Sequence, residues 1–339
     1  MLLPSVVPID DASRIAEVRR LAAAAAFDEG LDEAETGRVA LIATELATNG
    51  LKHAEKCEII IARLSPHDRP GVELISIDRG PGMTNVDDCF VDGFSTAGTP
   101  GLGFGGITRQ ADEFDVYTQP GKGTAIVARK YARAAATAKT APSFRFSSIC
   151  VPYRGEAACG DAWSVRRNGS SLWIVVADGL GHGLLASQAS QAATAAFDSS
   201  KAAAPVELLD VLHRSLRGTR GAAVAVARIE VEDGRIRYAG LGNISGALLG
   251  GVKVQNMLSH NGTAGLEARR CQEFEYKLPE AGLLVMHSDG LTTSWNLDAY
   301  PGILRRHPAL IAAVLYRDAN RGRDDVCVVV GRRFENDHG

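Results

Sequence analysis

Tyr131 to Pro142 reads YARAAATAKTAP, a stretch without apolar periodicity that directly follows the strand-like Thr124-Ala-Ile-Val-Ala128. A segment with no apolar face has nothing to bury and reads as a linker. The chain is therefore expected to build two cores, one from residues 1–130 and one from 143–333, joined by 131–142. Its 339 residues suffice for two, because domains usually run about 100–200 residues.

The halves carry different patterns. Before the linker the spacing predicts helices over about 12–27 and 32–54, strands near 57–64 and 72–78, a long glycine-rich loop, a helix near 102–112, and a closing hairpin of 114–119 with 123–130. That is an α+β sandwich with helices on one face of a mixed sheet. After it, strands are predicted at 144–151, 158–166, 172–177, 222–230, 235–241, 246–250, 272–277, 282–287 and 325–331. Two alanine-rich helices, about 183–198 and 205–217, interrupt them, which suggests two packed sheets flanked by helices.

Charge and cysteine usage exclude several classes. Residues 1–130 hold 13 Lys/Arg against 20 Asp/Glu, and residues 131–339 hold 24 against 20, so neither half has the dense basic stripe of a nucleic-acid binder. No apolar run approaches the ~18 residues that span a bilayer. Leu21 to Phe27 is short, alanine-rich and preceded by Arg19-Arg20 within a helical pattern. A soluble, cytoplasmic protein with neither nucleic-acid nor membrane partner is expected. The six cysteines lack CxxC spacing, and most lie in strand-like surroundings, which favours reduced core thiols over zinc or disulfides.

Glu45, Asn49 and His53 are four apart and fall along one helix face, roughly 6 Å between neighbours. Such a face can be a solvated helix surface. In a phosphoryl-transfer site, Asn49 would offer a hard oxygen to Mg²⁺ and Glu45 would orient or deprotonate the attacking hydroxyl. Asp78 ends the run Val72-Glu-Leu-Ile-Ser-Ile77, where a carboxylate can accept from an adenine amino group. Gly80 and Gly82 let the backbone approach a base without a Cβ in the way. Gly101-Leu-Gly-Phe-Gly-Gly106 then leads into a helix whose positive end suits phosphates. Any one of these is commonplace, but their order and spacing together point to an ATP site.

The second half repeats a different arrangement. Asp178-Gly179 follows Leu172-Trp-Ile-Val-Val-Ala177, Asp289-Gly290 follows Leu283-Leu-Val-Met-His287, Asp324-Asp325 precedes Val326-Cys-Val-Val-Val330, and Gly160-Asp161 opens a strand. A single Asp-Gly is ordinary turn chemistry. Four acidic strand ends with scarcely any clustered His or Cys predict a hard-metal site, Mg²⁺ or Mn²⁺ and not zinc, because clustered carboxylates repel unless a cation compensates.

Two resemblances then extend this reading. Ala43-Thr-Glu-Leu-Ala-Thr-Asn49, Asp78-Arg-Gly-Pro-Gly82, Asp92-Gly-Phe-Ser-Thr96, Gly101-Leu-Gly-Phe-Gly, Asp112-Glu-Phe and Pro120-Gly-Lys-Gly-Thr124 closely resemble the GHKL-fold serine kinases of bacterial partner-switching systems, nearest the stressosome switch kinase and less the anti-sigma kinase. This implies a GHKL (Bergerat) α/β sandwich over residues 1–130 that phosphorylates a Ser/Thr on a STAS-domain protein with ATP and Mg²⁺. Carried over, Glu45 is the catalytic base, Asn49 the Mg²⁺ ligand and Asp78 the adenine contact. Gly80, Gly82, Gly101, Gly103 and Gly105 form the nucleotide loops, with Lys122, Thr124 and His53 as further cofactor contacts; a structural role for His53 stands equally open. Cys159-Gly-Asp161, Asp178-Gly-Leu-Gly-His-Gly183, Ser288-Asp-Gly290 and Asp324-Asp-Val resemble the SpoIIE-like branch of the protein phosphatase 2C superfamily. This implies an αββα sandwich over 143–333 and a phosphoserine/phosphothreonine phosphatase using two Mn²⁺ or Mg²⁺ ions. Asp178 would bridge the metals, the Gly179 carbonyl would join it, Asp161 would hold one ion, and Asp289 with Asp324 the other, with Asp325 as a further member of the metal set. His182 could donate to a leaving alkoxide and Asn243 could line the cleft, while Arg220 and Arg166-Arg167 could meet phosphate; an exposed loop, a turn and solvated arginines explain them as well. The expected partners are a STAS-domain substrate, a sigma factor or downstream phosphatase/cyclase, and a second copy across the alanine-rich helix of Ala16 to Phe27.

Overall fold

The computed structural model describes residues 3–54, 56–64, 69–85, 103–133, 144–251, 253–268 and 271–334. The chain packs as two units, Met1–Thr140 with Leu297–Arg317, and Ala141–Asn296 with Asp318–Gly339. No helix among the described residues is long and apolar enough to cross a membrane.

The first unit runs β1 (Ser5–Ile9), α1 (Ser13–Asp28), α2 (Glu33–His53), β2 (Cys57–Arg63), β3 (Gly71–Ile77), α3 (Gly103–Gln110), β4 (Glu113–Gln119) and β5 (Gly123–Tyr131). Its sheet has the order β1-β2-β3-β5-β4, and each of these pairings is antiparallel. The mixed sheet expected from the sequence is thereby corrected. The sequence reading also missed β1, a five-residue strand at the sheet edge, where Pro8 is tolerated because an edge position can forgo an N–H.

Helix α2 starts where Asp32 accepts from the Glu35 amide at 2.8 Å, carries Glu33 and Glu35 in its first turn and Lys52 and His53 in its last, and so matches its own dipole at both ends. Its apolar face of Val39, Ile42, Ala43, Leu46 and Ala47 joins Val18, Ala22 and Ala26 of α1 and Ile59, Ile61 and Leu74 of the sheet in one core. Gly50 lets Cys57 close against α2, since a Cβ there would stand 2.4 Å from its Sγ. Two buried ion pairs cross this unit: Arg129 donates to Glu73 at 2.6 Å, and Lys130 Nζ lies 2.7 Å from Glu35.

The second unit runs β6 (Phe144–Val151), β7 (Asp161–Asn168), β8 (Ser171–Gly179), α4 (Leu184–Ser199), α5 (Pro205–Ser215), β9 (Ala222–Glu230), β10 (Arg235–Leu241), β11 (Ser245–Leu249), β12 (Gln255–Met257), β13 (Gly262–Thr263), β14 (Glu267–Ala268), β15 (Phe274–Lys277), β16 (Leu283–His287) and β17 (Val326–Arg333). Two five-stranded sheets result, β15-β10-β9-β8-β7 and β12-β11-β16-β17-β6. Side chains alternate along β8: Ile174 and Val176 enter the core shared with Leu284, Met286 and Val329, whereas Trp173, Val175 and Ala177 face Ala189, Phe197, Leu208 and Leu212 of α4 and α5.

Helix α6 (Pro308–Ala319), between β16 and β17, went unpredicted. Ala309 through Leu315 are all at most 3% exposed, so the helix is apolar all round and shows no 3.6-residue alternation. Up to Arg317 it packs with the first unit, where Tyr316 donates to Glu58 at 3.4 Å and the His307 amide to Asp115 at 2.7 Å. Cys57, Cys150, Cys159 and Cys327 are buried free thiols and Cys271 a half-buried one; Cys89 lies outside the described residues.

Candidate nucleotide and metal sites

In the first unit the expected adenine contact is built by the end of β3. Asp78 Oδ1 accepts from the Gly80 amide at 2.7 Å and from the Thr124 amide at 3.1 Å, while the Asp78 amide donates to the Thr124 carbonyl at 2.9 Å. Burial pushes the carboxyl upward, against these two amides and the Arg317 charge that lower it. Gly123 has φ +87°, and a Cβ on it would stand 2.2 Å from the Asp78 carbonyl oxygen. Gly82, at φ +70°, sits equally tight against the Gln119 carbonyl. Only glycine fits both approaches.

Gly80 also abuts the end of α2, its built Cβ 3.1 Å from the His53 carbonyl. The chain thus brings the Asp78 loop to the helix that carries Glu45 and Asn49, both half-buried, and the exposed His53. Thr124 is buried, and its hydroxyl pairs with Thr118 at 3.1 Å. Lys122 directs its ammonium to the Ala299 carbonyl at 3.0 Å and over the Tyr300 ring at 4.3 Å, within the same unit. Gly103, at φ +55°, begins α3, and Gly105 is buried within that helix. Gly101 and Asp92 to Thr96 lie outside the described residues.

In the second unit, β7 and β8 pair in a register that sets Asp161 directly opposite Asp178. Burial, then the charges of Asp289, Asp324 and Asp325, push Asp178 up to about 7. Burial and the charge of Asp178 raise Asp161 as well. Ser288, whose role the sequence does not reveal, donates to Asp161 Oδ2 at 2.6 Å and accepts from the Cys327 amide at 3.0 Å. Asp289 accepts from Asn243 Nδ2 at 2.7 Å, which places Asn243 at the cleft. Asp324 accepts from the Asp325 amide at 2.9 Å.

Asp325 is tied differently. Its two oxygens accept from the amides of Tyr153 at 2.7 Å and Gly160 at 2.8 Å, bracing the loop that delivers Asp161. Gly160, Gly179 and Gly290 each pack where a Cβ would collide, with Asp325, Ala186 and the Asp325 carbonyl respectively. The Asp-Gly pairs are therefore close-packing positions and not only turns. His182 is exposed and paired to Glu156 at 2.6 Å. His287 is neutral by burial: its Nε2 accepts from Trp295 at 3.0 Å, leaving the proton on Nδ1, which donates to the Ser288 carbonyl at 2.8 Å.

A divalent cation suits this donor set. Its side chains are oxygen-only, the buried Asp161 and the half-buried Asp178 stand face to face without a cationic partner among the described residues, and burial together with the neighbouring carboxylate charges raises both, a cost that positive charge would relieve. No three His, Cys, Asp or Glu side chains among the described residues converge on one point.

Comparison with known proteins also divides the chain in two. Residues 8–130 match the histidine kinase-like ATPase domain, and residues 168–334 match stage II sporulation protein E (SpoIIE). The chain is 34% identical over 119 residues to the serine/threonine-protein kinase RsbT of Bacillus subtilis, covering 35% of this chain and 90% of that one. It is 27% identical over 90 residues to the phosphoserine phosphatase RsbX of the same organism, covering 26% of this chain and only 45% of that one. A solved structure described as "The bacterial stressosome: a modular system that has been adapted to control secondary messenger signaling" is 30% identical, with a TM-score of 0.53, over 56% of this chain and 99% of its own. With RsbT matched over nearly its whole length, the chain belongs to the histidine kinase-like ATPase family through its N-terminal part, and its residues 168–334, which carry Asp178, Asp289, Asp324 and Asp325, match stage II sporulation protein E.

Proposed function

We propose that this chain is a two-way phosphorylation switch: residues 1–130 phosphorylate a serine or threonine of a STAS-domain protein, and residues 143–333 remove phosphate from phosphoserine or phosphothreonine. The observation that carries the reading is the face-to-face pair Asp161 and Asp178, with Asp289 and Asp324 adding to its charge, in the same chain as an RsbT-like half with the Asp78 loop set against α2. In the kinase half, Asp78 would accept from adenine, Gly80, Gly82, Gly101, Gly103 and Gly105 would let the backbone close on the nucleotide, and Asn49 would hold Mg²⁺. Glu45 would take the proton of the acceptor hydroxyl. In the phosphatase half, Asp178, the Gly179 carbonyl, Asp161, Asp289 and Asp324 would hold two Mn²⁺ or Mg²⁺, and Asp325 would position Asp161 through Gly160. Metal ions held there would supply an activated water, so no protein nucleophile would be needed. Ser288 fixes the orientation of Asp161, and Asn243 that of Asp289.

A second reading makes the first half an ATP-gated clamp for a sigma factor or other partner, with the phosphatase as the only enzyme. Glu45 argues against it, since pure binding needs no base there. The test is Glu45→Gln with labelled ATP: loss of transfer with retained nucleotide binding supports a kinase, and unchanged partner regulation supports the clamp.

A further inference from the structure

An opening of about 430 Å³ on the second unit is lined by Asp289, Arg321, Arg323 and Asp324. The two carboxylates belong to the metal set above; the arginines belong to no motif. Both arginines are exposed, and among the described residues neither guanidinium has a hydrogen bond or ion pair. The carboxylates beside them are engaged elsewhere, Asp289 with Asn243 and Asp324 with the Asp325 amide. The turn that carries the arginines is held at its start. The Arg321 amide donates to the Gly290 carbonyl at 2.9 Å, next to Asp289, and Asn320 Oδ1 accepts from the Gly322 amide at 2.7 Å with Gly322 at φ +64°.

The geometry points to Arg321 and Arg323 as the recognition site for the phosphoryl dianion of the phosphatase substrate. A dianion approaching Asp161, Asp178, Asp289, Asp324 and Asp325 meets net repulsion from whatever carboxylate charge the metals leave uncompensated. Two unpaired guanidiniums at the same opening offset it, and each presents a planar fork that two phosphate oxygens can fill. This rests on the phosphatase reading and adds the side chains that select a phosphorylated residue over its neutral counterpart.

The alternative role, counter-charges that merely soften the acidic cluster, predicts a different readout. Full-length protein with Mn²⁺ is assayed on a synthetic phosphoserine peptide, with inorganic phosphate as competing product, for wild type, Arg321→Ala, Arg323→Ala and Arg321→Lys. Charge-assisted hydrogen bonds are worth about 1.5–3 kcal/mol, so KM and the phosphate inhibition constant should each rise about tenfold or more per alanine, with the rise in KM exceeding any fall in kcat. Arg321→Lys, which keeps the charge and loses the fork, should fall between. Unmoved KM and phosphate inhibition with a shifted Mn²⁺ half-saturation overturns the inference and leaves the phosphatase standing. A wild-type protein inert toward the peptide overturns the phosphatase reading itself. Tryptophan fluorescence melts matching wild type show that the variants are folded, as exposed side chains without partners should be.

Discussion

Asp178→Asn should stabilise the metal-free second unit while abolishing its hydrolysis. In the fold Asp178 is pushed up to about 7 from the ordinary aspartate range near 3.9, and each tenfold change in proton affinity is worth about 1.36 kcal/mol. That sets a ceiling of about 4 kcal/mol on the penalty of ionising it in the fold, shared with Asp161 because the two titrate together. The sign follows from proton binding. Between pH ~4 and ~7 the folded carboxyl keeps a proton that the unfolded one has lost, so stability falls as pH rises through that window, and the full penalty stands above it. Asparagine cannot ionise, and its amide can donate to Asp161. In EDTA at pH 8 the variant should therefore melt higher than wild type, by at most about 8–16 °C at roughly 2–4 °C per kcal/mol, with the gain shrinking as pH falls to 5. Trp163, Trp173 and Trp295 all lie in the second unit, so intrinsic fluorescence reports its unfolding alone. Mn²⁺ should raise the wild-type transition and leave the variant nearly unmoved. A variant that melts at or below wild type in EDTA at pH 8, or a gain independent of pH, would refute the claim that burial and the neighbouring carboxylates penalise ionised Asp178 in the fold.

Three further outcomes follow from the first unit. Gly123→Ala forces a Cβ to within 2.2 Å of the Asp78 carbonyl at φ +87°, a strain of about 1–3 kcal/mol, and equilibrium dialysis with ATP should show affinity reduced while the tryptophan melt of the second unit is unchanged. Arg129→Met leaves Glu73 buried without its cation, which should cost about 3–5 kcal/mol and lower the calorimetric transition of the first unit; an unchanged transition would mean the pair is solvated. Asn49→Asp, which places a carboxylate where an amide oxygen is expected to meet Mg²⁺, should shift the Mg²⁺ dependence of phosphoryl transfer, whereas an unaltered Mg²⁺ titration removes Asn49 from the ligand set.

Some elements were legible: α2 from its helical spacing over 32–54, and β8 from its short apolar run before Asp178. Others were not. β1 is five residues with a proline, and α6 is buried on every side, so neither shows alternation. Within the sites, an aspartate at a strand end can be read from the chain, but its neighbour across the sheet cannot. That Asp161 faces Asp178, and that Asp325 spends both oxygens on the Tyr153 and Gly160 amides, are facts of register and loop closure. Ser288 stood in plain view inside Ser288-Asp-Gly290, yet only the fold shows its hydroxyl on Asp161. Arg321 and Arg323 carry no motif at all; proximity alone joins them to the carboxylates.

The central claim is that one chain both adds and removes phosphate. The most direct measurement incubates the Asp178→Asn protein with labelled ATP, Mg²⁺ and the STAS-domain proteins encoded near its gene, then adds wild-type protein with Mn²⁺. The account predicts label on a STAS serine or threonine in the first step and its release as inorganic phosphate in the second. Tight ATP-dependent partner binding with no label would contradict it and leave the first half a nucleotide-gated clamp beside a single enzyme.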